Sequence, residues 1–238
     1  MSIAGTNWIS TKYNFLKNDA AKKGIFRSFL ENLFEFSNKK KFSQMGVAHP
    51  DFCKNLDETN ATSLFKDANE NQPSSFYSLN KAFKQLKLKP AEISMVDIGC
   101  GSGRVLSFGM LSGFKEVYGV DLDRSGLEKA QQNCETMLRN GATTIFTLMY
   151  ADASTYAIPK DVNVIYMFNP FGEKTMRKIV ENIINYSAGV IKNVYIIYSN
   201  PTCKHLFDNN NKFRKVLETY FKNKKPDITI YQLTPELI

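Results

Sequence analysis

A chain of 238 residues, 43% hydrophobic and 23% charged, is long enough for one sizeable core, or one core plus a small addition. Mean hydropathy is −0.31 and no apolar run approaches the ~20 residues of a membrane span, which argues against a membrane-spanning helix. Four cysteines without a CxxC pair (Cys53, Cys100, Cys134, Cys203) and two distant histidines (His49, His205) argue against a zinc cluster. Free thiols in a reducing compartment are expected, and the lack of an apolar secretory core near the N-terminus points to the cytosol.

The net charge of +8 is uneven. Residues 12–41 carry seven Lys and one Arg against Asp19, Glu31 and Glu35, and residues 204–225 carry six Lys and one Arg against Asp208 and Glu218. Both ends are basic and the middle is not. Such flanks suit nucleic acid, anionic lipid or an anionic substrate, and equally a solvated lysine-rich surface.

In chain order, a helix is expected from about Lys12 to Phe36. Its apolar residues Ile25, Phe26, Phe29, Leu30, Leu33 and Phe34 form a stripe with Lys and Arg opposite. The plain expectation is that this stripe docks on the core; the alternative is an interfacial helix on an anionic membrane. Residues 38–75 read as irregular cover or a lid. "PSSFYSLNKAFKQLKL" reads as a helix capped by Ser74 or Ser75, with Phe76, Leu79, Phe83 and Leu86 on one face and Pro90 stopping it.

The periods then alternate: strand 93–98, helix 103–111, strand 116–121, helix 124–139 closed by Gly141, strand 144–150 and loop 151–160. Strand 162–168, helix 173–187 and strand 193–199 follow. Near-continuous apolar strands between amphipathic helices indicate a parallel sheet covered on both faces. Residues 212–221 and 228–233 are expected to pair as an antiparallel hairpin at a sheet edge.

The turn between the first strand and its helix is Gly99-Cys100-Gly101-Ser102-Gly103, with Arg104 where a dinucleotide fingerprint has its third glycine. Asp97 stands two residues before it. A carboxylate aimed at the turn repels a pyrophosphate and organises a cation. S-adenosylmethionine (SAM), with ammonium and sulfonium charges and no phosphate, matches that requirement.

"VDIGCGSGR", followed by "VYGVDLD", "YADAS" and "VIYMFNPFG", resembles the class I SAM-dependent methyltransferases over roughly residues 75–235. The resemblance implies a Rossmann-like seven-stranded sheet, mostly parallel with one antiparallel strand. It divides the chain into an N-terminal helical or cap extension (1–73) and a methyltransferase domain (74–238). By the same resemblance, Asp97, Gly99, Cys100, Gly101 and Gly103 hold the methionyl portion. Asp121 accepts the ribose hydroxyls, Asp152 and Ala153 contact adenine, and Leu122 packs on the purine. Arg104 is either a ligand contact or a structural partner of nearby carboxylates.

"FNPFG" falls where these enzymes face their acceptor, so Asn169, Pro170 and Phe171 are catalytic candidates and Asn169 also borders the cofactor. It is similar to the Asn/Asp-Pro-Pro-aromatic loop of amino-directed nucleic acid methyltransferases but has one proline, so Phe171 arrives one residue early. It is closer to bacterial methyltransferases with a single-proline loop and a second Asn-Pro after the fifth strand, here Asn200-Pro201. An amine acceptor needs hydrogen-bond acceptors such as Asn169. A sugar hydroxyl needs a general base, for which His205, Glu173 and His49 are candidates, whereas Tyr166 and Tyr198 read as core.

The leading expectation is O-methylation of a saccharide or other small acceptor, with peripheral contact to an anionic membrane through the basic N-terminal helix. N-methylation of nucleic acid or a protein side chain is the alternative. A non-catalytic SAM-binding module is the third.

Overall fold

The computed structural model describes residues 19–47, 73–187 and 193–233. Seven strands form one sheet: β1 (Ser94–Ile98), β2 (Glu116–Asp121), β3 (Ile145–Tyr150), β4 (Val164–Phe168), β5 (Val194–Ser199), β6 (Phe213–Tyr220) and β7 (Pro226–Leu233). Their order is β3-β2-β1-β4-β5-β7-β6. β1 to β5 are parallel, and β7 runs antiparallel between β5 and β6. This is the Rossmann-like methyltransferase arrangement with its single reversed strand. β1 is buried at every position, as a central parallel strand covered on both faces requires.

The helices are α1 (Ile25–Gln44), α2 (Phe76–Gln85), α3 (Arg104–Leu111), α4 (Arg124–Arg139), α5 (Glu173–Ser187) and the short α6 (His205–Asp208). One core layer joins α1 to α4 through Phe42, Phe76, Phe83, Leu106, Phe108 and Met137. The opposite layer packs Met176, Ile179 and Ile183 of α5 and Phe207 of α6 against Ile165, Ile196 and Tyr231 of the sheet. Ser75 caps α2, its hydroxyl accepting from the Ser78 amide.

The N-terminal helix departs from expectation in extent and in facing. Gly24, at φ 95°, separates α1 from residues 19–23, and α1 runs on to Gln44 through positions read as irregular. Residues 12–18 and most of the expected lid, 48–72, lie outside the described residues. Most of the stripe does not dock: Ile25, Phe26, Phe29 and Leu33 are exposed, Ile25 at 81%, as is Phe36, whereas Leu30 is half-buried and Phe34 packs on the core beside Tyr77. The helix instead buries Ser28, Glu31, Asn38 and Phe42.

The reason is ionic. The Arg27 guanidinium donates to Asp227 of β7 (2.6 Å), Glu31 (2.9 Å) and the Ser78 hydroxyl (2.9 Å), and Glu35 receives Arg104. Turning the stripe inward would strand the Asp227 and Arg104 side chains, 4% and 9% exposed, and pull Phe42 from the core. A buried ion left without its partner costs about 3–5 kcal/mol. The charged face therefore stays in.

Candidate functional site

The chain passes from β1 to α3 on one face of the sheet and from the adjacent β4 to α5 on the other, so a crevice opens at the carboxyl ends of these strands. The glycine turn, Asp121 and Asn169 all lie at that edge. Gly99, Gly101 and Gly103 have φ of 80°, 50° and 76°, a left-handed path that glycine adopts freely. At Gly103 a Cβ would stand 2.7 Å from that of Ala130, so the third glycine also lets α3 approach α4. At Gly99 it would stand 3.0 Å from the Pro170 Cβ. The Asn169-Pro170-Phe171 loop after β4 thus leans directly on the glycine turn.

Asp97 is buried, at 3% exposure. Burial first, and then the Asp121 charge, push its carboxyl well above the ordinary carboxylate range. Among the described residues no Lys or Arg pairs with it. Asp121 is also raised, by burial foremost, although the amides of Asp123 and Gly101 hydrogen-bond its oxygens at 2.8 and 2.7 Å. Two neighbouring carboxylates without a protein cation suit a positively charged ligand. These residues fit an S-adenosyl group.

Other sequence-derived candidates are placed more variously. Cys100 turns its thiol into the core beneath Gly119, and its amide is taken by the Val120 carbonyl, so its side chain does not line the crevice. Ala153 is likewise buried, in the layer under α5. Asp152 accepts the Ser154 amide through Oδ1 (2.8 Å), closing the loop after β3, and Leu122 lies half-buried beside Asp121. Phe171 packs half-buried against the α5 layer, so its ring is not a free stacking platform.

Asn169 and Asn200 end the adjacent strands β4 and β5, both before proline and both left-handed (φ 38° and 48°), a conformation asparagine tolerates. Asn169 Oδ1 accepts hydrogen bonds from the Thr202 hydroxyl and, at 3.4 Å, from the Tyr198 hydroxyl. The Tyr198 oxygen itself accepts the Cys203 amide at 3.3 Å, so its proton points to Asn169. Burial lifts the Tyr198 pKa to about 12, keeping that proton in place.

His205 opens α6, half-exposed, with Nε2 3.4 Å from Glu173 Oε1. Glu173 is held below its ordinary range by Arg177 and then by His205, which makes it a poor base. His49 lies outside the described residues. Tyr166 and Tyr198 are core, as expected.

Of the two readings of Arg104, the structure bears out the structural one, with partners that the sequence did not identify. Arg104 Nη2 reaches both Glu35 oxygens, its Nε donates to the Ser74 carbonyl (2.7 Å), and its guanidinium lies 3.9 Å from the Phe76 ring centre. The Tyr166 hydroxyl donates to Ser74 Oγ at 2.7 Å, and Tyr166 sits beside Asp97 in register. Arg104 is therefore structural. The cysteines Cys100, Cys134 and Cys203 are buried free thiols, and the described residues hold no metal-ligand cluster and no helix long and apolar enough to cross a membrane.

A family model described as a methyltransferase domain matches residues 95–188. An uncharacterized protein of Methanocaldococcus jannaschii is 24% identical over 140 residues, covering 54% of this chain and 62% of its own length. The chain thus spans less than two thirds of that curated relative. Among solved structures, PH1948 of Pyrococcus horikoshii, described as a candidate RNA methyltransferase, has a TM-score of 0.51 at 18% identity, covering 84% of this chain and 97% of that one. The ribosomal protein L11 methylase of Lactobacillus delbrueckii subsp. bulgaricus has a TM-score of 0.51 at 14% identity, covering 71% and 81%. At these identities the likeness to solved structures is one of fold.

Proposed function

From a chain that carries a class I SAM-dependent methyltransferase domain, we propose methyl transfer to oxygen in a saccharide or other small-molecule acceptor. The carrying observation is that Asn169 Oδ1 already accepts from Thr202 and Tyr198. An amine acceptor needs that oxygen for its own N–H.

In this reading Asp97 and the Gly99–Gly103 turn hold the methionyl portion, with Cys100 contributing backbone alone. Asp121 takes the ribose hydroxyls, and Asp152, Leu122 and the Ala153 backbone border the purine. Bound there, S-adenosylmethionine supplies a methyl group already activated on a sulfonium, so positioning by this chain carries much of the rate. Pro170, wedged against Gly99, sets the height of the loop over the turn. His205 receives the acceptor's hydroxyl proton, with Glu173 facing its Nε2 and leaving Nδ1 as the basic nitrogen. Of the extension 1–73, the described helix α1 caps the domain of 74–238 through Phe42 and the Glu35–Arg104 pair. A lipid-linked saccharide would place this cytosolic enzyme at the inner membrane face.

N-methylation of nucleic acid or a protein side chain is the second reading, supported by the basic surface of the two chain ends. Incubation with methyl-labelled SAM and fractionated cell extract separates the two. The expected product is an O-methyl ether that resists nuclease and protease. Label released by either enzyme overturns the oxygen reading, and no label transfer to any fraction overturns both.

A further inference from the structure

The outward sector of α1 carries Ile25, Phe26, Phe29, Leu33 and Phe36, exposed at 81, 75, 58, 48 and 73%. These positions recur at helical spacing, with Lys40 at the far end of the same sector and Lys22 just before the Gly24 break that opens the helix. Among the described residues no carboxylate shares this sector: Glu31 is buried against Arg27 and Lys23, and Glu35 turns to Arg104. Five large apolar side chains side by side on one helix mark an interaction surface.

The fold adds a second element that the sequence keeps far away. The start of α1 meets the turn between β6 and β7. Asn223 donates its amide to the Lys22 carbonyl (3.3 Å), the Lys222 side chain lies 3.9 Å from where a Gly24 Cβ would be, and Arg27 lies 4.7 Å from the Phe221 ring centre. The two basic ends of the chain thereby make one corner, with Lys22, Lys222, Lys224 and Lys225 exposed beside the apolar stripe. The helix is not free to roll the stripe inward, because Arg27 and Glu35 are held from inside by Asp227 and Arg104.

We propose that this face docks on an anionic phospholipid bilayer, α1 lying in the interface with its stripe among the acyl chains and the lysine corner on the headgroups. A stripe framed by cations and free of carboxylates matches such a surface. Nucleic acid offers phosphates, and its bases stack on single aromatic rings, but it leaves the aliphatic Ile25 and Leu33 of the same stripe uncovered. A two-fold pair of stripes would set Lys22 of one copy against Lys40 of the other. The proposal stands apart from the identity of the acceptor, because the surface lies on α1 and not in the crevice.

The test is co-sedimentation of the full chain with vesicles of phosphatidylcholine alone or mixed with phosphatidylglycerol, with no SAM and no acceptor. Binding is expected to rise at least about tenfold with the anionic lipid and to weaken with salt. Phe26→Ser with Phe29→Ser should lose at least about tenfold in binding while the thermal midpoint stays unchanged. Lys222→Glu with Lys225→Glu should lose the preference for the anionic lipid. No binding to the mixed vesicles overturns the proposal, as does binding indifferent to both variants. A fall in thermal midpoint in the serine variant would mean the chain itself covers the stripe. A dimer that this variant dissociates would mean a second copy does. RNA retention that survives the serine variant and exceeds vesicle binding would assign the corner to nucleic acid, and each of these three also overturns it. Because the vesicles lack cofactor and acceptor, failure here leaves the methyl-transfer reading standing, and failure there leaves this one.

Discussion

Arg104 and Glu35 meet across 69 residues of sequence, with Nη2 of the arginine 2.5 and 2.7 Å from the two carboxylate oxygens. Arg104 begins the helix leaving the glycine turn, so this contact ties the outer helix α1 to the floor of the cofactor crevice. Glu35→Ala leaves the buried Arg104 guanidinium without its carboxylate and should destabilise the protein by about 3 kcal/mol, lowering its Tm by roughly 6–12 °C. Arg104→Lys should not preserve these contacts, because an ammonium cannot lie flat on Phe76 while serving both Ser74 and Glu35. Scanning calorimetry of the two variants checks both expectations.

Asp97 gives a pH signature. Its folded pKa lies above the ordinary value, so its contribution to the stability of the unliganded protein is fully present below that ordinary value and is lost as pH rises through the raised one. A cation seated beside it reverses the shift, so SAM binding expels a proton in that window and its affinity climbs with pH there. Asp97→Asn should raise the unliganded Tm at neutral pH and flatten its pH dependence, while abolishing the Tm increase on adding SAM. Thermal melts between about pH 5 and pH 8, with and without SAM, measure both effects.

Asp121 and Asn169 should separate binding from turnover. Asp121→Ala removes a carboxylate that orders the Gly101 and Asp123 amides, and should abolish the thermal response to SAM and to S-adenosylhomocysteine. Asn169→Ala should preserve both responses and lower kcat by roughly a hundredfold, through loss of loop geometry at the reacting centre. Equal loss of ligand response in the two variants would contradict this division of labour.

At the sheet edge, burial would raise Glu218, but hydrogen bonds from Lys204, Tyr220 and Lys215 outweigh it and bring its pKa down to about 2. A depressed carboxylate stabilises above its unfolded pKa, and that stability disappears as pH falls from the ordinary value of 4.5 toward about 2. Glu218→Gln should therefore cost about 1 kcal/mol at pH 7, the full shift being discounted for partial exposure, and less as pH falls from the ordinary value toward about 2. Urea titrations at neutral pH and at about pH 3 test for that decrease.

The sheet and its cofactor edge were legible because each depends on local rules. Apolar strand runs, the helix periods, Ser75 as a cap and the left-handed glycines of the turn are set by residues within a few positions of one another. Helices α4 (Arg124–Arg139) and α5 (Glu173–Ser187) and strand β2 (Glu116–Asp121) fall at the residues their patterns predict. Periodicity also located the stripe on α1, but not which way it faces. That was decided by Asp227 and Arg104, partners from distant parts of the chain whose buried charges hold Arg27 and Glu35 inward. The same distance in sequence hid the Ser74–Tyr166 contact and the commitment of Asn169 to Thr202. A repeating pattern reports which residues share a face. Only the assembled structure sets the cost of leaving each charge without its partner, and that cost chose the face.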